Sequence, residues 1–261
     1  MTVILVGPEQ GANVGFVART MACYGVTDFR IVGAPGIAAD EGAKKTGKAG
    51  SHLLESVRYF ENAASAVADC NFSFGFTRRP REPGQRIYDL EDAVSQWRKT
   101  RDQGSSKISP SLENLRTALV FGRESQGLFR DETTALSHLV RITMPGESLS
   151  LNLSHAVAIG LYAFLGTGVD RHVGAEMESI ESESVSGSES ERDYMDGYPN
   201  QGENNAILEN LLAGLDASGY FRGGKEAAQR ESVRFLWQRL RPTRRELEFL
   251  AGMLRRLTAN S

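Results

Sequence analysis

The first 170 residues repeat one pattern: a short apolar run, a polar turn, then apolar positions at helical spacing. The runs are Val3–Val6, Phe29–Val32, Asn71–Gly75, Ala118–Phe121 and Leu139–Thr143. Runs this short and this apolar suit strands covered on both faces, and alternation with helices predicts an α/β domain with a mainly parallel sheet. Val14, Val17, Ala18, Met21 and Ala22 predict a helix that stops at Gly25. Shorter helices are predicted at Asn62–Ala68, Leu90–Trp97 and Asp131–Ser137. A longer one follows Asn152, with Ala156, Val157, Gly160, Leu161 and Phe164 on one face.

The pattern breaks after His172, and charge shows where. The net charge of the whole chain is −3, but residues 176–204 hold nine acids against Arg192 alone, whereas residues 205–261 hold ten basic and six acidic side chains. A Glu- and Ser-rich, apolar-poor stretch cannot repay its ordering entropy, so residues 173–204 are expected to be an acidic linker. It joins a domain over 1–172 to a helical extension over 205–261. In that extension Ile207, Leu208, Leu211, Leu212 and Leu215 form one stripe, and Val233, Leu236, Trp237 and Leu240 a second. Thr243-Arg244-Arg245-Glu246 reads as a capping box opening a third helix. So few helices make a small core, so the unit should pack on something else.

Several functional classes are disfavoured. Two cysteines, Cys23 and Cys70, make no disulfide framework and suit a reducing cytoplasm. The apolar stretch Ala156–Leu165 is too short to span a bilayer, and Met1 leads into Val3 without a basic leader. No metal is expected, because the four histidines show no ligand spacing. Gly42–Lys48 spells most of a phosphate-binding Walker loop, but Ala49 stands where the hydroxyl residue belongs; a basic, flexible surface loop is expected instead.

Three polar segments remain, each at the end of a predicted strand: Gly7–Arg19, Gly122–Leu128, and Ile142 through Ser150-Leu151-Asn152. Ligands of open α/β sheets gather at such ends, so the three suggest one composite site. Each residue also has a plain structural role open to it. Asn13, Ser150 or Asn152 could cap a helix, Gly122 and Gly127 could serve turns, and Glu124 could be an acid beside a helix end.

In their order these segments resemble the SPOUT superfamily of knotted RNA methyltransferases and its TrmH family, in particular the tRNA (cytidine/uridine-2′-O-)methyltransferases. Asn13, Gly15 and Arg19 match the N-x-G-x-x-x-R motif; Gly122, Glu124, Gly127 and Leu128 match F-G-x-E-x-x-G-L; and Ser150, Leu151 and Asn152 match S-L-N. The extension from Leu211 to Arg222 and from Arg241 to Leu254 is similar as well. The resemblance implies a trefoil knot threading residues around 115–165, a homodimer, and S-adenosylmethionine bound largely through backbone atoms. By position its binders are Phe76, Thr77, Arg78, Gly122, Ile142, Leu149, Ser150 and Leu151. One departure stands out: Phe76 occupies a place where the family has a small hydroxyl residue.

The implied reaction is 2′-O-methylation of tRNA ribose at anticodon-loop nucleotide 32. Arg19 would activate the hydroxyl, Ser150 and Asn152 would orient ribose, and Glu124 would hold Arg19 or Asn13. Arg79, Arg81 and Arg123 would meet RNA, with Lys44, Lys45, Lys48 and Arg86 extending a basic surface. The alternatives are the same chemistry on ribosomal RNA, and a catalytically inactive RNA-binding protein of the same fold. The high glycine content, 27 residues, is expected to serve close approach of backbone to cofactor.

Overall fold

The structure is a computed structural model and describes residues 1–78, 85–104, 115–144, 151–166, 199–222, 224–240, 242, 246–250 and 252. Seven parallel strands form one sheet: β1 (Thr2–Val6), β2 (Asp28–Val32), β3 (Arg58–Phe60), β4 (Phe72–Phe76), β5 (Ile87–Asp89), β6 (Thr117–Phe121) and β7 (His138–Arg141). Their order is β3-β2-β1-β6-β4-β7-β5. The five predicted strands are present. The edge strands β3 and β5 escaped prediction because each has three residues and neither is a continuous apolar run.

The three central strands β1, β6 and β4 are buried along their whole length. Alternate residues serve different layers. Val3, Leu5, Leu119 and Phe121 join the core under α1 (Gly11–Cys23), α5 (Leu90–Gly104) and α7 (Leu153–Leu165). Ile4, Val6, Ala118 and Val120 join the core under α4 (Ala63–Val67) and beside Leu136, which follows α6 (Arg130–Thr134). This two-sided burial explains why the strands show no polar alternation.

The loop expected over Gly42–Lys48 is instead ordered. Asp40 caps a helix α2 (Glu41–Thr46) by accepting from the Gly42 N–H at 2.7 Å, and α3 (Ser51–Glu55) follows. Close packing on α1 is the reason. A Cβ at Gly15 would lie 2.1 Å from Thr46 Oγ1, and one at Gly50 would lie 2.4 Å from the Ala18 carbonyl. Gly15 and Gly50 therefore let α1 and the segment after Asp40 touch, a use the cofactor reading of the glycine content does not include. Lys44, Lys45 and Lys48 remain exposed on the outer side.

Strand β2 buries a cation. Arg30, 1% exposed, meets Asp28 at 2.6 Å, Asp69 at 2.5 Å and the Ala66 carbonyl at 2.6 Å. Burial pushes the Asp28 carboxyl upward, but hydrogen bonds from Arg30, Arg58 and Thr2 outweigh it and hold it well below the usual carboxylate range. Hydrogen bonds from Arg30 lower Asp69 as well. Burial pushes the neighbouring Cys70 thiol up to about 11, which keeps it protonated and unreactive.

The C-terminal helices are α8 (Gln201–Ala217) and α9 (Glu226–Leu240), and residues 246–250 are again helical. Asn200 and Glu203 form a capping box, so α8 starts within the last residues assigned to the linker; residues 173–198 of that stretch, and Thr243 to Arg245, lie outside the described residues. The small core of Leu208, Leu212, Phe221, Trp237 and Leu247 does not stand alone. Gln201 and Gly202 donate their N–H groups to the Cys70 and Ala68 carbonyls at 2.7 and 2.8 Å, and Arg130 of α6 pairs with Glu231 of α9.

Removing Arg30 would strand carboxylates against a buried gap. Arg30→Leu is expected to cost about 3 kcal/mol in urea melts. Because folded Asp28 and Asp69 titrate below their unfolded values, their contribution is complete above about pH 4 and is lost as pH falls further. Stability of the native chain should therefore fall steeply below about pH 4, and the Arg30→Leu protein should show a shallower acid slope.

Candidate active site

Parallel strands end on one edge of the sheet, and there β4, β6 and β7 open into a cleft of about 670 Å³. That volume lies within the range of small-molecule and cofactor sites. Phe76 and Phe121 close the strands side by side, with ring centroids 4.3 Å apart, and form the floor with Val140, Leu153 and Ala156. The pair needs room behind it. A Cβ at Gly160 of α7 would lie 3.0 Å from Phe76 and 3.1 Å from Phe121. Thr77 leaves the sheet by donating its N–H to the Val140 carbonyl at 2.9 Å.

Residues 122–129 make the wall. Arg123 and Gly127 exchange backbone hydrogen bonds of 3.2 and 2.9 Å, and Gly127 has φ +69°. The turn closes so tightly that a Cβ at Gly122 would lie 2.1 Å from the Gly127 carbonyl carbon. Here glycine is required by geometry. Ile142 and Met144 after β7, and Leu151 before α7, complete the lining.

A chain of hydrogen bonds ties the three segments together. Helix α1 has no side-chain cap of its own; its N-cap residue is Gln10. Glu124 supplies the acceptor from across the fold, receiving the Glu9 N–H at 2.8 Å, the Gln10 N–H at 3.3 Å and Asn13 Nδ2 at 2.8 Å. A carboxylate at a helix N-terminus is favoured by the helix dipole and by the unpaired N–H groups there. Asn13 Oδ1 in turn accepts from Asn152 Nδ2 at 3.0 Å. Asn152 also caps α7, its Oδ1 accepting from the Ser154 N–H at 2.8 Å and the Ser154 hydroxyl at 2.7 Å. Asn13 is therefore not a cap, whereas Asn152 is a cap and a bridge at once.

Of the expected cofactor residues, Phe76, Thr77, Arg78, Gly122, Ile142 and Leu151 line this one cleft, as do Arg123 and Glu124. Leu149 and Ser150, together with Arg79 and Arg81, lie outside the described residues. Arg123 lines the cleft with its guanidinium paired to Glu132 at 2.9 Å and lying 4.0 Å over the Phe129 ring. It braces the wall, and passes so close to Gly7 that a Cβ there would lie 2.6 Å from its Nε. Of the two partners expected for Glu124, Asn13 is the one it bonds; Arg19 is exposed on α1 and does not line the cleft. Glu9, Ser125 and Glu132 were missed. Each is an ordinary polar residue whose partner is distant in sequence or inside a turn.

Deleting the shared acceptor leaves donors at the α1 N-terminus unmet. Glu124→Ala is expected to cost about 2 kcal/mol, and Asn13→Ala about 1 kcal/mol. The double variant should fall short of their sum by about 1 kcal/mol in denaturant melts, because the two side chains bond each other.

The chain and its fold have counterparts among known proteins. The chain is 27% identical to the tRNA (cytidine/uridine-2′-O-)-methyltransferase TrmJ of Pectobacterium atrosepticum, over 97% of this chain and 94% of that protein. It is equally similar to the TrmJ of Yersinia pestis, over 97% of this chain and 89% of that protein. The crystal structure of TrmJ from Z. mobilis ZM4 shares the fold, with a TM-score of 0.72 at 24% identity and coverage of 98% of both chains. A probable methyltransferase from Bordetella pertussis Tohama I superposes with a TM-score of 0.55 at 22% identity, over 63% of this chain and 94% of that one. The SpoU rRNA Methylase family model matches residues 1–162, which hold the whole sheet, the cleft and the Glu124–Asn13–Asn152 chain, and the protein belongs to that family.

Proposed function

We propose that the protein methylates the ribose 2′-oxygen of tRNA with S-adenosylmethionine as donor, in the anticodon loop at nucleotide 32, a cytidine or a uridine. The observation that carries this reading is the single cleft at the ends of β4, β6 and β7, lined by residues from separate segments of a methylase-family chain. Full-length similarity to proteins named as tRNA (cytidine/uridine-2′-O-)-methyltransferases supports the choice of substrate.

The lining fits the cofactor. The aromatic floor of Phe76 and Phe121, with Ile142, offers apolar cover for a planar adenine. The peptides at Thr77, Gly122 and Leu151 would meet its polar edge, and Phe76 serves by its ring where the family uses a small hydroxyl. S-adenosylmethionine, when bound, supplies an electrophilic methyl group on a sulfonium. This chain's residues must then position the ribose and ease loss of its hydroxyl proton.

Arg19 is the residue we assign to that task. It is exposed on α1 and has no partner among the described residues. A guanidinium keeps its proton at neutral pH, so Arg19 is a poor base; it would grip an adjacent phosphate with two N–H groups and stabilise charge developing on the 2′-oxygen. Since Arg19 lies outside the cleft of its own chain, we place it in a homodimer in which a second copy brings it to the site. Exposed Phe16 on α1 and Tyr162 on α7, 43% and 56% accessible, offer apolar surface for that contact. Asn13 and Asn152 would orient the approach, with Ser150 beside them. Lys44, Lys45 and Lys48 would follow the RNA backbone in the cytoplasm.

Incubation with methyl-labelled cofactor and bulk tRNA, followed by nucleoside mapping, should place label on 2′-O-methylcytidine or 2′-O-methyluridine of the anticodon loop. Label in ribosomal RNA alone would overturn the substrate. Arg19→Ala should lower methyl transfer by about a hundredfold or more while calorimetry finds near-native cofactor affinity; normal turnover would remove Arg19 from the mechanism.

A further inference from the structure

We infer that Glu9 is a positioning residue for the cleft, whose carboxylate clamps the 123–127 wall to the loop between β1 and α1. The contact is reciprocal. The Glu9 N–H donates to Glu124 at 2.8 Å, while the Glu9 carboxylate accepts from the Ser125 N–H at 3.2 Å and from the Ser125 hydroxyl. Each loop therefore presents a carboxylate to donors of the other. Two acids placed at one helix N-terminus repel each other, and that arrangement holds because every carboxylate oxygen in it meets an N–H or O–H donor.

The wall depends on this clamp. Ser125 and Gln126 are exposed at its apex, and Arg123 to Gly127 all line the cleft. Below the apex the turn is closed by the Arg123–Gly127 backbone pair and braced by Arg123 on Glu132. Neither contact fixes the apex. Glu124 anchors one side of it, and Glu9 fixes the other by binding the next residue in the chain. Glu9 is itself exposed and takes no part in the hydrophobic core, so its effect is confined to where the wall stands. With the wall held, the Gly122 end of the cleft is shaped before ligand arrives, which reduces the ordering cost of binding. That consequence rests on the cofactor reading given above; the clamp itself does not.

Two measurements separate them. In the protein without ligand, Glu9→Ala should speed hydrogen exchange of the 122–128 backbone by about tenfold, with Glu9→Gln, which keeps an acceptor oxygen, restoring most of the protection. By calorimetry, Glu9→Ala should weaken S-adenosylmethionine binding about tenfold, Ser125→Ala about threefold, and Glu9→Gln about twofold. A lowered melting temperature with unchanged cofactor affinity would overturn the positioning role, as would unchanged exchange in Glu9→Ala. Faster exchange in a protein whose native form binds no S-adenosylmethionine would overturn the cofactor reading and leave the clamp standing.

Discussion

All seven strands run in one direction, and the rest of the molecule follows from that constraint. Parallel neighbours cannot be joined by tight turns, so each connection must cross over the sheet, and helices cover both faces. Every strand then delivers its carboxyl end to the same edge. The first turn thereby comes within hydrogen-bonding distance of two others that lie more than a hundred residues later in sequence. The strand order places β6 between β1 and β4, and β7 between β4 and β5, so later segments insert among earlier ones. The trefoil knot that the resemblance implies around residues 115–165 includes positions 145–150, which lie outside the described residues.

Convergence alone does not make a precise site; the loops must also be held. Glu124 does this by acting as the cap that α1 lacks, from a position 111 residues away from Asn13. A local Ser or Asp could have capped the helix equally well. Using a distant carboxylate makes the helix terminus and the cleft wall a single unit, and Asn152 extends that unit to the start of α7. Glycine acts in the same structure for two physical reasons. At Gly122 and Gly127 it permits a turn too tight for a side chain, while at Gly15, Gly47 and Gly50 it permits helix contact.

Arg30 shows the limits of pattern reading from the other direction. In sequence it is one charged residue within an apolar run, and the run still reads correctly as strand β2. Its burial could not be anticipated, because Asp69 arrives from after α4 and Asp28 from the strand's own start. The same holds for Arg123. Nothing in the local sequence marks Glu132, nine residues later, as its partner. The segment Gly42–Lys48 reads as a basic loop once the Walker match fails at Ala49, yet α2 needs only Ala43 and a row of glycines to seat itself on α1.

By itself the sequence determined the α/β class, the five longer strands, the helices α1 and α4 to α7, and three polar segments at strand ends. Those features rest on local spacing and burial preference, which a linear reading can measure. Only the tertiary structure decided that Glu124 caps α1 and holds Asn13, that Arg123 is internally neutralised, that Arg19 stands outside its own cleft, and that Glu9 and Ser125 brace the wall. The pairings among these join side chains whose separation along the chain is unrelated to their separation in space. Hydrogen bonds act over about 3 Å, and the sheet decides which residues come that close.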